Sequence, residues 1–389
     1  MNKQVANVQL MQKMNRLKVL QFVRRNPDIS RPVIAAQTGL SLPSITNIVS
    51  YLLELGILCE SGTEQVSRVG RKSTLLRFSA SAYDLVCIYL DEKHANIFKT
   101  DLEGNPKEKI TLTIKKNSPE ESLNELCEAT VSMVGSCKPG SILGIGVAIS
   151  GLVLSDSRFI MSSRLKWKSF DIKNMLEEET GIPVFLDNVS LLRAVWYFSK
   201  KAPQPDDNML FLDMENGIGA VQYAGGVIQS STLGEIGHTT VERDGLPCFC
   251  GNRGCLEAMC SPKRLLSLYE SANEEPLTSL ADIESLYQAE NDAAVFSVRE
   301  CACYLGIGLA NLVNLFNPSV IVINTGDFKD CPSLLQVAEE ELRKRAYLSL
   351  SEHLTIEKIN ETEENTVCGT AYHLCNKLFD ISFPKNIIE

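Results

Sequence analysis

Between positions 238 and 255 the chain gathers one histidine and three cysteines, His238, Cys248, Cys250 and Cys255. They lie in the stretches Gly234-Glu235-Ile236-Gly237-His238 and Cys248-Phe249-Cys250-Gly251-Asn252-Arg253-Gly254-Cys255-Leu256-Glu257. Three thiolates and an imidazole complete the tetrahedral ligand set of zinc with no position left for water, and the glycines let the backbone fold around a point. The expectation is one structural Zn2+. The chain has only four histidines, so one of them ten residues ahead of a Cys-x-Cys-Gly-x-x-Gly-Cys run is informative in itself. The competing reading is a group of buried, unligated thiols, and Cys260, just past the run, is the thiol most easily mistaken for a ligand.

A chain of 389 residues amounts to roughly two or three domains and buries cores large enough to need no disulfides. Several of its thirteen cysteines, among them Cys87, Cys301 and Cys303, sit in apolar segments, as free thiols of a reducing compartment do. No uninterrupted apolar stretch approaches the ~20 residues that span a bilayer, and Met1 does not open a basic-then-apolar leader. A cytoplasmic protein with no membrane segment is expected.

The net charge of −10 is unevenly spread. Residues 1–78 carry eleven Lys and Arg against four acids, a net of +7, while the other 311 residues carry −17. A small basic head on a large acidic body fits a polyanion-binding module fused to a part that does not itself bind nucleic acid.

The head reads as a winged helix-turn-helix. Residues 10–25 form an apolar-sided helix with a basic end, stopped at Asn26-Pro27. A short second helix follows Ser30 as N-cap with Pro32 in its first turn, and Gly39 supplies the turn after it. In the third helix, capped by Ser41, the residues Ile45, Ile48, Val49, Leu52 and Leu53 make a buried stripe. Ser44, Thr46, Asn47, Ser50 and Tyr51 are left on its outer face. Ser44, Thr46, Asn47 and Ser50 are small, uncharged hydrogen-bonding residues, suited to base edges and phosphates in a major groove. Strands at 57–59 and 75–78 flank a wing whose Arg68, Arg71 and Lys72 place cations against the backbone or in the minor groove. The competing reading is a helical dimerisation module with solvated charges.

After a linker at residues 79–84 the body alternates strands and helices. Strands are expected at 85–90, 95–100 and 110–114, a helix at 119–134 and a buried strand at 143–149. The order then repeats with strands at 209–213 and 220–223, a helical region at 262–315 and a strand at 320–323, so two α/β halves resemble each other in pattern.

Gly-Glu-Ile-Gly-His followed by Cys-x-Cys-Gly-Asn-Arg-Gly-Cys-Leu-Glu is similar to the signature of the ROK family of repressors and sugar kinases. With the basic head in front, nearly the whole chain resembles the repressor branch of that family, the NagC/Mlc/XylR-type regulators. The resemblance implies an α/β fold: an N-terminal winged helix-turn-helix at residues 1–80, then a two-lobed, actin-like, sugar-kinase-like ROK domain at 81–389. Lobe one would take residues 81–187 and the C-terminal helix, and lobe two residues 188–372. It also implies a homodimer or tetramer that binds double-stranded operator DNA and a small carbohydrate effector. By position Asn188, Glu235, His238 and Glu257 match the family's sugar contacts, with His238 serving metal and sugar at once. Carboxylates and an amide suit a polyhydroxyl ligand that leaves water; the alternative for Glu235 and Glu257 is support of the metal loop.

Phosphoryl transfer needs a base and a phosphate cradle, and the chain departs from the family's kinases at both. Asp187-Asn188-Val189 falls where kinases have Glu-Asn-Asp, so the base position is Val189, with Asp187 two residues away. Asp91-Glu92-Lys93-His94-Ala95 replaces Asp-x-Gly-Gly-Thr, Glu215-Asn216-Gly217 replaces Gly-Thr-Gly, and Asn324-Thr325-Gly326 lacks paired glycines. Side chains stand where bare backbone would approach phosphate. A non-enzymatic regulator is expected; the rivals are a sugar kinase with an added DNA-binding head and a regulator answering to a protein partner. Each phosphate neutralised contributes about −0.9 to the log–log salt slope of duplex binding. Arg71→Ala combined with Lys72→Ala is therefore expected to weaken operator binding and flatten that slope, and titrations at several salt concentrations check it.

Overall fold

Helix α1, Lys3–Arg25, starts earlier than the sequence pattern suggests in this computed structural model. The structure describes residues 3–379 apart from 64–72, 116–117, 155, 163–164, 169, 216, 230–234 and 274–275. Leu17, Leu20 and Val23 of α1 are buried. Strand β1 (Ile29–Ser30), α2 (Arg31–Thr38), α3 (Leu42–Glu54), β2 (Leu58–Thr63) and β3 (Thr74–Phe78) follow, and the strands form a sheet in the order β1-β3-β2. Ser30 does not cap α2 as expected. It stands at the N-cap position but is buried in β1, paired with Leu75 of β3, and its side chain makes no capping bond. Gly39 ends α2 in the left-handed region (φ 73°), and the Ser41 hydroxyl does cap α3, accepting from Ser44 N at 3.4 Å. Ile45, Val49 and Leu52 of the expected stripe have no exposed surface, while Ile48 and Leu53 are half-buried. Arg68, Arg71 and Lys72 lie outside the described residues.

Residues 79–84 are no free spacer. Ser79 N donates to Ile57 O (2.9 Å), Leu102 N to Ala80 O (3.0 Å), and the Tyr83 hydroxyl to Leu55 O (3.3 Å).

The body begins with an antiparallel meander of β4 (Asp84–Leu90), β5 (His94–Asp101) and β6 (Pro106–Thr113), followed by α4 (Pro119–Gly135) and β7 (Ile142–Ile149). A small sheet of β8 (Leu152–Val153), β9 (Phe159–Ser162) and β10 (Trp167–Lys168) precedes α5 (Ile172–Thr180), β11 (Val184–Asn188) and α6 (Val189–Lys201). A second meander, β12 (Met209–Asp213), β13 (Gly219–Ala224) and β14 (Val227–Gln229), leads to α7 (Leu256–Met259). The expected helical region at 262–315 is three helices: α8 (Pro262–Ala272), α9 (Leu280–Gln288) and α10 (Asp292–Phe316). Side chains that cap new N-termini divide it, Ser279 accepting from Asp282 N and Asn291 from Ala294 N. Then come β15 (Val320–Asn324), α11 (Pro332–Arg345), β16 (Thr355–Ile359) and α12 (Glu363–Leu378).

The two five-stranded sheets run β11-β7-β4-β5-β6 and β16-β15-β12-β13-β14. They are one strand order used twice, which bears out the two similar α/β halves. Helix α10 is apolar and long enough to cross a membrane by composition, yet 56% of its most apolar window is buried, where Val298, Leu305 and Leu309 join Leu210, Ile321 and Leu342 in one core.

By contacts the chain divides into two units, Met1–Val147 with Ile172–Phe185 and Thr370–Glu389, and Ala148–Asp171 with Leu186–Gly369. Within the first, Arg24 of α1 lies over the Tyr372 ring (4.2 Å) and donates to Asn376 Oδ1 (3.1 Å), both on α12. Within the second, Arg193 of α6 has no exposed surface. It donates to Asp213 Oδ2 and Thr366 Oγ1, each at 3.0 Å, and pairs with Glu215 Oε2 at 2.6 Å. Removing one partner of such a pair leaves a buried charge uncompensated and costs about 3–5 kcal/mol. Arg193→Ala is expected to destabilise the second unit by that amount; Trp167 and Trp196, the chain's two tryptophans, both lie in that unit, so fluorescence-detected urea unfolding reads the loss.

Candidate functional site

The loop that carries His238, Cys248, Cys250 and Cys255 is built by short backbone bonds. Cys248 N donates to Asn252 O (2.8 Å), Gly251 N to Cys248 O (3.0 Å), and Leu256 N to Thr239 O (2.9 Å), so Cys255 opens α7 beside the turn that carries His238. Gly254 has φ 65°, and a β-carbon there would stand 1.5 Å from Glu242 O, so no other residue fits. His238 Nδ1 lies 3.5 Å from Cys248 Sγ, and Cys250 Sγ 3.6 Å from Cys255 Sγ; all four donor atoms lie within 4.8 Å of one another. A tetrahedron with bonds of about 2.3 Å to sulfur and 2.05 Å to nitrogen has edges of about 3.8 and 3.6 Å, so the four residues can hold one metal ion in closed coordination. Cys260 is fully buried beyond α7 and is not one of the four.

The Asn252 backbone N–H aimed at Cys250 holds that thiol below its ordinary range, whereas burial, with Cys250 and Cys248 facing it, pushes Cys255 up to about 12. Sulfurs this close ionise together only when a cation balances them. With Nδ1 turned to the cluster, the His238 ring keeps Nε2 for a second partner, and the Phe249 ring stands edge-on to it at 5.0 Å.

The other expected sugar contacts gather around the start of β13. Glu257, two residues past Cys255, accepts from Ile218 N (3.1 Å), and Gly237 N donates to Ile218 O (3.0 Å), so one peptide segment anchors both the carboxylate and the His238 turn. Asn188 caps α6, its Oδ1 accepting from Ser190 N (2.8 Å) and its Nδ2 donating to Gly151 O (2.8 Å); one amide hydrogen and one lone pair remain for other partners. Ser190 in turn packs on Gly219. Glu235 is exposed and precedes the His238 turn. The structure thus brings Glu257 and the His238 turn to Ile218, and Asn188 caps α6 through Ser190, which packs on Gly219, all within the second unit.

Val189 is 2% exposed at the first position of α6 and offers no proton acceptor. In the first unit the Asp91 carboxylate accepts from both Lys93 N (2.6 Å) and His94 N (2.7 Å). In the second, Arg193 ties down Glu215, Asn324 donates to Asp213 Oδ1 (2.7 Å), and a β-carbon on Gly326 would stand 2.4 Å from Glu215 Cα. Burial, with Asp213 nearby, raises the Glu215 carboxyl against the pull of Arg193. Asn216 lies outside the described residues. The sequence reading missed Arg193 and Asp213; their signal was a lone arginine inside the apolar run of α6 and an aspartate closing the apolar strand β12.

On the head, Ser44, Thr46, Asn47 and Ser50 are all exposed on α3. Arg16 lies over the Tyr51 ring at 3.9 Å, and Lys18 donates to Thr38 O at 2.6 Å.

A helix-turn-helix with a bare polar face, ahead of a doubled α/β body carrying a four-ligand loop, defines a DNA-binding regulator on a sugar-kinase-like body. Residues 15–58 match the winged helix-turn-helix DNA-binding family and residues 86–377 the ROK family. The chain belongs to the ROK family. The xylose repressor of Bacillus subtilis (strain 168) is 28% identical over 356 residues, 89% of this chain and 91% of the repressor. The glucokinase of Halalkalibacterium halodurans is 33% identical over 223 residues, 53% of this chain and 68% of the enzyme. A crystal structure of a ROK family transcriptional regulator, a homologue of the E. coli MLC protein, shares the fold over 93% of this chain and 96% of its own, with TM-score 0.78 and 22% identity.

Because metal binding to such a loop is folding energy, Cys250→Ser or exhaustive chelation is expected to lower the melting temperature and release close to one equivalent of metal per chain. Elemental analysis and calorimetry on the same samples check it.

Proposed function

We propose that this protein is a sugar-responsive transcriptional repressor: a dimer or tetramer whose heads bind operator DNA and whose body binds a small carbohydrate around a structural zinc loop without phosphorylating it. The reading rests on one observation. The groups that a kinase of this fold would present to phosphate are already bonded within the protein. The Lys93 and His94 amides are taken by Asp91, and Glu215 occupies its own loop, held by Arg193. A phosphate approaching either loop would meet a carboxylate in place of free backbone donors.

Zinc is supported by the three-sulfur, one-nitrogen donor set and its tetrahedral edges. Asn188, His238 and Glu257, with Glu235 at the edge, give a polyhydroxyl ligand acceptors and donors on one side. Carbohydrate binding need shift the operator-competent equilibrium by only ~1–3 kcal/mol to act as a switch. Such a protein works in the cytoplasm, where its operator is.

Xylose and glucose, named by two of the relatives, head the sugar panel. One of the panel is expected to release the purified chain from operator DNA with no ATP consumed. Losing the general base alone costs about 10²- to 10⁴-fold, and with the loops closed Val189→Asp is expected to restore nothing. Sugar-dependent ATP turnover near ~1 s⁻¹, ordinary for kinases, would establish the enzymatic reading instead, and its loss in Asp187→Asn would identify the base.

A further inference from the structure

The four polar residues on the outer face of α3 are not equivalent. The Ser44 hydroxyl is engaged with the Ser41 hydroxyl at 2.8 Å inside the N-terminal cap. Thr46 Oγ1 donates its only hydrogen back to Leu42 O at 2.9 Å. Asn47 and Ser50 are exposed, and their side chains have no intramolecular hydrogen bond among the described residues. Of these two, Asn47 stands one turn nearer the N-terminus of α3, the end that reaches base edges when a helix of this motif enters the major groove.

The chemistry of the two side chains separates them further. A serine hydroxyl donates or accepts at a single point and fits any base. A carboxamide carries an acceptor and a donor side by side in one plane, which matches the N6 amino group and N7 of adenine and no other major-groove edge as well. Helix α3 itself carries no lysine or arginine, so it contributes no cation to phosphate binding. Its exposed amide is left for sequence.

We infer that Asn47 is the base-reading residue of the head and that it reads one adenine in each operator half-site. The inference rests on α3 being the recognition helix. Full-length protein is used to select duplexes from a random-sequence pool, once as wild type and once as Asn47→Ala, a substitution at an exposed position that leaves the thermal melt unchanged. Wild-type sites are expected to hold adenine at one symmetry-related position, where replacing the A·T pair weakens binding roughly 5- to 150-fold. For Asn47→Ala all four bases are expected to serve equally there, the other positions keeping their preferences. An unchanged base profile with uniformly weaker binding would make Asn47 a phosphate contact and overturn the inference, as would a specified guanine at the position that Asn47→Ala relaxes. Failure of the wild-type chain to enrich any duplex would overturn the recognition-helix assignment itself.

Discussion

A single guanidinium organises the second unit. Arg193 has no contact with solvent, and a charge in that position persists only where oppositely charged and hydrogen-bonding groups surround it. Asp213 ends β12, Asn324 ends β15 and bonds the same carboxylate, Thr366 comes from α12, and Glu215 closes the loop after β12. The crevice beyond the carboxyl ends of parallel strands is where open α/β sheets take their ligands. Here β12, β15 and β16 run parallel, and the strand ends are cross-linked to one another, Glu361 N reaching Asn324 Oδ1 at 2.8 Å. The carboxyl ends of these strands are thus occupied by side chains bonded to one another.

Next to this cluster, where Ser190 bonds Asp213 and packs on Gly219, the chain is organised by peptide groups. Ile218 receives Glu257 on its N–H and Gly237 on its carbonyl. The metal loop supplies both of those residues, so whatever fixes the loop also fixes the polar groups around residues 217–219. A closed four-ligand ion suits this task because it stiffens a segment with little apolar surface to bury, exposed at Phe249, Cys250 and Gly251. The His238 ring turns its Nδ1 toward Cys248.

The head is held to its own unit by several unlike contacts. Tyr83 reaches back to Leu55, Ser79 to Ile57, and Arg24 lies against Tyr372 and Asn376. Residues between head and body are therefore part of the packing, and changes in α12 or in the start of the body bear directly on the helix that backs α2 and α3.

Much of this was legible in the chain itself. Helical period and capping residues located α2 and α3, continuous apolar runs located β4, β7 and β12, and the spacing of His238, Cys248, Cys250 and Cys255 picked out the four residues whose donor atoms the fold brings together, because periodicity, caps and ligand spacing are local properties. The four ligands are close in sequence, so short-range geometry alone can bring them together. Other features came only from tertiary structure. Ser30 was expected to cap and is instead buried in a strand; the helical region expected at 262–315 is divided into three helices, new ones starting after Ser279 and Asn291. That Asp213, Glu215 and Thr366 meet on Arg193, with Asn324 bonded to Asp213, depends on strand order across more than 170 residues of chain. The sequence by itself determined which residues can ligate, cap or face a groove. Only the fold decided which polar groups are already spent on one another, since a hydrogen bond between distant segments exists only when packing brings both partners within about 3 Å.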